Sequence, residues 1–194
     1  MNMARKMSAT VSGNGERTVV LANGFCTSAS DWDAVVSRLE ADFRIARFEY
    51  VGYPGTPDAA WNPDRYSELY GHADDVLSLL RELEITGAAF VGHSLSAMIG
   101  ALVQITAPTR INHLVTIGGS PRYIDDSAYV GGFSAADVDA LIESAERDLE
   151  LWIAGFAPGA LGTDATPEQL RSYQAHFLGM RPDVARQLIT SIFH

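Results

Sequence analysis

The sequence predicts an α/β fold with a parallel-type sheet and flanking helices, on three observations. Short, continuously apolar runs alternate with amphipathic helical stretches through the first 120 residues. One apolar run, at 88–91, passes through Gly92-His93-Ser94 directly into a helical stretch at 95–106. From Ser134 onward the pattern is helical, with no strand signal.

The run TVVLAN at 18–23 is β-branched and ends in Asn23-Gly24, as a buried strand followed by a loop does. Ser30-Asp31 can cap a helix whose apolar face carries Trp32, Val35, Val36 and Leu39. Residues 44–50 form the next strand, and Gly52-Tyr53-Pro54-Gly55-Thr56-Pro57 is a loop. A helix at 64–83 turns Leu69, Val76, Leu79, Leu80 and Leu83 inward. The strand at 88–91 and helix at 95–106 follow, the helix stopping before Pro108. Residues 114–117 are a last buried strand, closed by Gly118-Gly119. In such sheets ligands sit beyond the carboxyl ends of the strands, so the loops after Asn23, Tyr50, Val91 and Ile117 are expected to converge. After Ser120 the texture changes. Val138, Leu141, Ile142, Ala145, Leu149, Trp152, Ile153 and Phe156 recur at helical spacing. Thr166-Pro167-Glu168-Gln169 is a capping-box start, Gly179 ends that helix, and Pro182 opens another reaching Phe193.

A net charge of −10 and a pI near 4.8 argue against nucleic acid or an anionic membrane surface as partner. No apolar run reaches the roughly 18 residues a membrane span needs. The N-terminus carries Arg5 and Lys6 without an apolar signal core, and Met1, Met3 and Met7 each offer a start. A single cysteine, Cys26, excludes an internal disulfide and a thiolate metal cluster, which fits a reducing, cytoplasmic setting. Neither a metal nor a cofactor is expected.

Gly92-His93-Ser94-Leu95-Ser96 fits G-x-S-x-G, with Ser96 in place of the second glycine. Between an apolar strand and a helix, that motif presents Ser94 as a nucleophile at the tip of a sharp turn. The helix amino end beside it favours developing negative charge. Acyl transfer also needs oxyanion donors. The N–H of Leu95 is one candidate, and the loop at Asn23-Gly24-Phe25 supplies the N–H of Phe25 as the other.

Several segments, in order and spacing, resemble the bacterial RsbQ-type stress-regulator hydrolases and the related plant strigolactone and karrikin receptors. They are Asn23-Gly24-Phe25 with Trp32, Tyr50-Val51-Gly52, the stretch from Gly92 to Gly100, Ser120-Pro121-Arg122-Tyr123 and Gly131-Gly132-Phe133. Trp152-Ile153-Ala154-Gly155-Phe156-Ala157-Pro158 and Met180-Arg181-Pro182-Asp183 complete the match, which runs from about Thr18 to the end of the chain. The resemblance implies the N-terminal part of an α/β-hydrolase core at 1–120 and a four-helix lid at 121–194 over an apolar pocket. It implies slow hydrolysis of small hydrophobic esters or lactones, with ligand binding read by a regulatory protein partner. By the same match the pocket is lined by Phe25, Tyr123, Phe133, Trp152, Phe156 and Phe193; on spacing alone, Trp152 and Phe156 read as ordinary helix core. Asn23 stands where a histidine is common and Cys26 where a glycine is, and Tyr53-Pro54 alters its loop; these departures bear on ligand identity.

The family triad runs nucleophile, acid, histidine. None of the five histidines fits: His93 precedes Ser94, His72 lies upstream, His113 opens a strand at the far end of the sheet, His176 sits on a late helix, and His194 is last. The resemblance places acid and histidine after two later strands, so the sequence is expected to be an incomplete core, with apolar surface exposed on sheet and lid. Three readings remain open: an esterase-type enzyme completed by further residues, a ligand-binding signalling module, and a non-catalytic product needing another chain.

Overall fold

The computed structural model describes residues 1–194, which divide into two compact units, Met1–Ser120 and Pro121–His194. The first contains α1 (Met3–Lys6), β1 (Thr10–Ser12), β2 (Arg17–Ala22), α2 (Asp33–Leu39), β3 (Phe43–Phe48), α3 (Leu69–Glu82), β4 (Ala88–His93), α4 (Leu95–Thr106) and β5 (Ile111–Ile117). The sheet order is β1-β3-β2-β4-β5, parallel except for β1, which runs antiparallel to β3. The chain steps one way from β2 to β3 and the other way to β4. The order therefore reverses between β2 and β4, where open α/β sheets leave a crevice for ligands. Ala22 pairs with both Phe48 and Gly92, and His93 with Ile117, so four strands end at one level.

Helices cover both faces of the sheet over β2, β3 and β4. Val19, Leu21 and Ile45 pack against Val36 of α2, with Trp32, Val35 and Leu39 joining from the same helical face. Phe90 and Leu114 face α4 so closely that a Cβ on Gly100 would lie 2.6 Å and 2.8 Å from their ring and methyl carbons. Residue alternation along β2 and β4 thus feeds two apolar layers.

Some boundaries differ from expectation. α3 begins at Leu69, not at 64, because Asn62 starts a competing turn: its carbonyl accepts from Tyr66 N–H at 3.1 Å and its side chain from Arg65 N–H at 3.1 Å. β5 begins at Ile111 rather than 114. α1 and β1 were not foreseen. β1 pairs with β3, and α1 is held from a distance: Lys6 and Arg65 meet the buried Asp75 carboxylate at 3.0 and 2.6 Å, and Tyr66 donates to it at 2.7 Å. These three donors outweigh burial and hold the Asp75 carboxyl below its ordinary range.

The second unit holds α5 (Ala135–Arg147), α6 (Leu149–Leu161), α7 (Pro167–Leu178) and α8 (Pro182–Phe193). Ser134 and Thr166 both close capping boxes, with Asp137 and Gln169. Some large apolar side chains are exposed. Edge strand β5 leaves Val115 46% and Ile117 43% exposed, and the helices expose Leu151, Leu161 and Leu178. No helix is long and apolar enough to cross a membrane.

Removing a partner from a buried ion pair strands the remaining charges, at a cost of about 3–5 kcal/mol. Asp75→Ala is expected to lower unfolding stability by that order in urea titrations. A loss below about 0.5 kcal/mol, the scale of surface pairs, would contradict the cluster's role.

Candidate active site

Ser94 occupies the junction of β4 and α4 with φ 55° and ψ −122°, left-handed backbone that a non-glycine residue adopts only under constraint. The constraint is visible. Ser94 N–H donates to Ile117 carbonyl at 2.8 Å, and Ser94 carbonyl accepts from Ala97 N–H at 3.0 Å. The turn is tight enough that a Cβ on Gly92 would lie 2.5 Å from the Ser96 carbonyl carbon and 2.6 Å from Ala97 N. The half-buried Ser94 side chain makes no capping bond to its own helix. The first-turn N–H of Leu95 has no intrahelical partner.

The loop after β2 lies against this turn. A Cβ on Gly24 would sit 3.1 Å from Ser94 Cβ and would collide with the His93 ring nitrogen Nδ1. Glycine at 24 is thus what brings Phe25, itself 5% exposed, beside Ser94. Cys26 adopts φ +63°, a conformation glycine takes freely and other residues at a cost of about 1 kcal/mol. Buried Asn23 donates through Nδ2 to Thr27 carbonyl at 2.8 Å and to Glu49 Oε2 at 3.2 Å. Glu49 Oε1 accepts from Ala29 N–H at 2.7 Å. One carboxylate therefore clasps both ends of the 23–29 loop. Burial pushes the Glu49 carboxyl from 4.5 up to about 7, with Asp31 adding to the rise and the two N–H donors and Arg47 opposing it.

The fully buried Ser96 hydroxyl donates to Asn23 carbonyl and lies 2.7 Å from the Tyr50 hydroxyl. The sequence marked Ser96 only as a small residue replacing glycine, and it passed over Glu49, whose signal was a charge inside an otherwise apolar strand end.

No imidazole of the sheet unit serves Ser94. His72 is buried with both ring nitrogens unpartnered, stacked on Tyr66 at 4.7 Å and held well below its usual pKa, at about 4, by desolvation. His93 packs on Gly24, and His113 is exposed on β5. In the helical unit, His194 Nε2 lies 3.3 Å from Asp139.

The helical unit contains an open cavity of about 790 Å³, within the range of small-molecule sites. Tyr123, Phe133, Trp152, Phe156 and Phe193 are brought together in its wall; Phe25, the sixth expected lining residue, belongs to the sheet unit. Trp152 and Phe156 stack at 4.6 Å, and Phe193 meets Tyr123 at 5.0 Å and Phe156 at 6.1 Å. Of the polar side chains in the wall, Asp137 closes the Ser134 cap and Ser144 donates to Leu141 carbonyl. The wall is mostly apolar.

The family model described as "Alpha/beta hydrolase family" matches residues 19–191. The chain belongs to that family. Among curated relatives, a karrikin insensitive 2 receptor of Petunia hybrida is 39% identical over 181 residues, 93% of this chain and 67% of its own length. A strigolactone esterase of Arabidopsis thaliana is 32% identical over 193 residues, covering 100% of this chain and 72% of the relative. Among solved structures, a hydrolase from Oleispira antarctica superposes with a TM-score of 0.95 at 29% identity, over 98% of this chain and 70% of that one. This hydrolase-family chain thus spans about two thirds to three quarters of each relative.

Two outcomes follow from the geometry. Gly92→Ala pushes a methyl into backbone and is expected to destabilise by about 3 kcal/mol or to prevent folding, whereas Gly155→Ala, with nothing within 4 Å, is expected to be tolerated; equal thermal midpoints for the two variants would contradict the close approach. Between pH 4.5 and 7 the native Glu49 keeps a proton that the unfolded chain has released, so its contribution to stability falls as pH rises through that window. Glu49→Gln is expected to remove roughly 2 kcal/mol of that pH dependence in urea titrations at pH 5 and 8. An unchanged slope would show that Glu49 titrates normally.

Proposed function

We propose that Ser94 is the nucleophile of a serine hydrolase acting slowly on small hydrophobic esters or lactones. The carrying observation is the backbone of Ser94 at φ 55° between β4 and α4, with its hydroxyl left unused by the helix. Ser94 Oγ adds to the ester carbonyl carbon while its proton passes to a base. The oxyanion takes the N–H groups of Phe25 and Leu95, the alcohol leaves with the proton, and water then releases the acid from the acyl-enzyme. No base and no orienting carboxylate is assigned among these 194 residues. The helical unit is assigned the role of ligand-binding lid: its cavity wall of Tyr123, Phe133, Trp152, Phe156 and Phe193 suits an apolar ligand body. The names of two relatives, a strigolactone esterase and a karrikin receptor, support both the reaction class and the ligand class. The single cysteine, Cys26, suits a cytoplasmic setting.

A second reading has a specific observation in its favour. The aromatic cavity lies wholly within the helical unit, while no imidazole of the sheet unit engages Ser94, so ligand binding can outlive turnover. In that reading the chain is a signalling module, and a regulatory protein reads the ligand-bound state.

The 194-residue chain alone is expected to show no Ser94-dependent turnover of p-nitrophenyl acetate. A stoichiometric burst of p-nitrophenol that disappears in Ser94→Ala would place a working base within the chain and overturn that part of the reading. Ligand-dependent capture of a regulatory protein, unaffected by Ser94→Ala, would favour the signalling module over the hydrolase.

A further inference from the structure

The two N–H groups assigned to the oxyanion lie on separate elements: Phe25 on the loop after β2, Leu95 on the first turn of α4. Their separation must be held to a fraction of an ångström for both to meet one oxygen. Main-chain pairing between β2 and β4 ends at Ala22 and Gly92, short of both donors. Something else must register the loop against the helix.

Ser96 stands one residue after Leu95, and its Oγ donates to the carbonyl of Asn23, two residues before Phe25. The carbonyl can only accept, so the hydroxyl proton of Ser96 is committed there. The Tyr50 hydroxyl, 2.7 Å away, must then be the donor to Ser96 Oγ. Tyr50, Ser96 and Asn23 are all buried, which makes this chain of bonds strong and leaves no water to substitute for it. Tyr50 follows β3, so one hydroxyl on the elbow helix links the carboxyl ends of β2, β3 and β4. Glu49 holds both ends of the same loop, Asn23 through its side-chain amide and Ala29 through its N–H, but makes no bond to α4. Glycine, the usual occupant of this motif position, can make none of these bonds.

We propose that Ser96 is a positioning residue for the oxyanion hole: its hydroxyl, backed by Tyr50, ties the Asn23–Phe25 loop to the first turn of α4 and sets the spacing of the Phe25 and Leu95 donors. This rests on the reading of Ser94 as nucleophile. In the motif position where glycine serves only close packing, this chain uses a polar tie as well.

The test uses the 194-residue chain and phenylboronic acid, which needs no catalytic base. Boron accepts Ser94 Oγ, the hydroxyl proton is released to solvent, and the tetrahedral boronate places an oxygen where the oxyanion would form. Affinity is read by ¹¹B NMR, and backbone amide exchange is read residue by residue. Ser96→Ala is expected to weaken the adduct roughly tenfold to a hundredfold and to speed exchange across residues 24–27, while Val20 and Leu21 keep their protection. Because Ser96→Ala strands the Tyr50 hydroxyl, the double variant Ser96→Ala/Tyr50→Phe is measured beside it and is expected to show the same local change. Tyr50→Phe alone keeps the bond to Asn23 and is expected to have a smaller effect. Wild-type affinity and unchanged exchange at 24–27 in the folded double variant would overturn the inference, as would a uniform loss of protection including Val20 and Leu21. Boronate binding that survives Ser94→Ala would instead overturn the nucleophile reading, and the exchange data would still decide the role of Ser96.

Discussion

The left-handed turn at Ser94 is the constraint on which the site depends. A serine does not hold φ 55° unaided; it is held by Ile117 carbonyl on one side and Ala97 N–H on the other. Those bonds exist because β5 pairs with β4 up to His93–Ile117 and because Gly92 lets α4 fold back onto the strand. β4, β5 and α4 together therefore hold Ser94 at the strand ends, where the sheet order reverses.

Few polar groups tie that turn to the loop after β2, and Asn23 Oδ1 among them has no hydrogen-bond partner. Asn23 and Glu49 pin the loop after β2, and Ser96 with Tyr50 connects the loop to the elbow helix. Burying such groups is favourable only when their hydrogen bonds are made, which gives a network of this kind one good geometry. Specificity toward a ligand comes from different material. The cavity of the helical unit is walled mainly by aromatic and aliphatic side chains, which suits shape and apolar area more than polar readout.

The features legible in the sequence are those written at short range. The elbow sits within five consecutive residues, and the cap at Thr166 is specified by Gln169 three positions later. Aromatic positions 152 and 156 share a helix face by spacing alone. What escaped was long-range pairing of polar groups. Lys6 meets Asp75 across 69 positions, Ser96 meets Asn23 across 73, and Glu49 meets Asn23 across 26. No local pattern announces such partners, and α1 and β1 are too short to carry a periodic signal. The start of the helix at 64 was misplaced for the opposite reason: a purely local turn at Asn62 overrode a good apolar period.

A crystal structure of the 194-residue chain with phenylboronic acid tests the site most directly. The expected result is boron bonded to Ser94 Oγ, with one boronate oxygen within hydrogen-bond distance of both Phe25 and Leu95 N–H. Boron bound elsewhere, or on Ser94 with its oxygens turned away from those two groups, would contradict the assignment of Ser94 as a nucleophile served by this oxyanion hole.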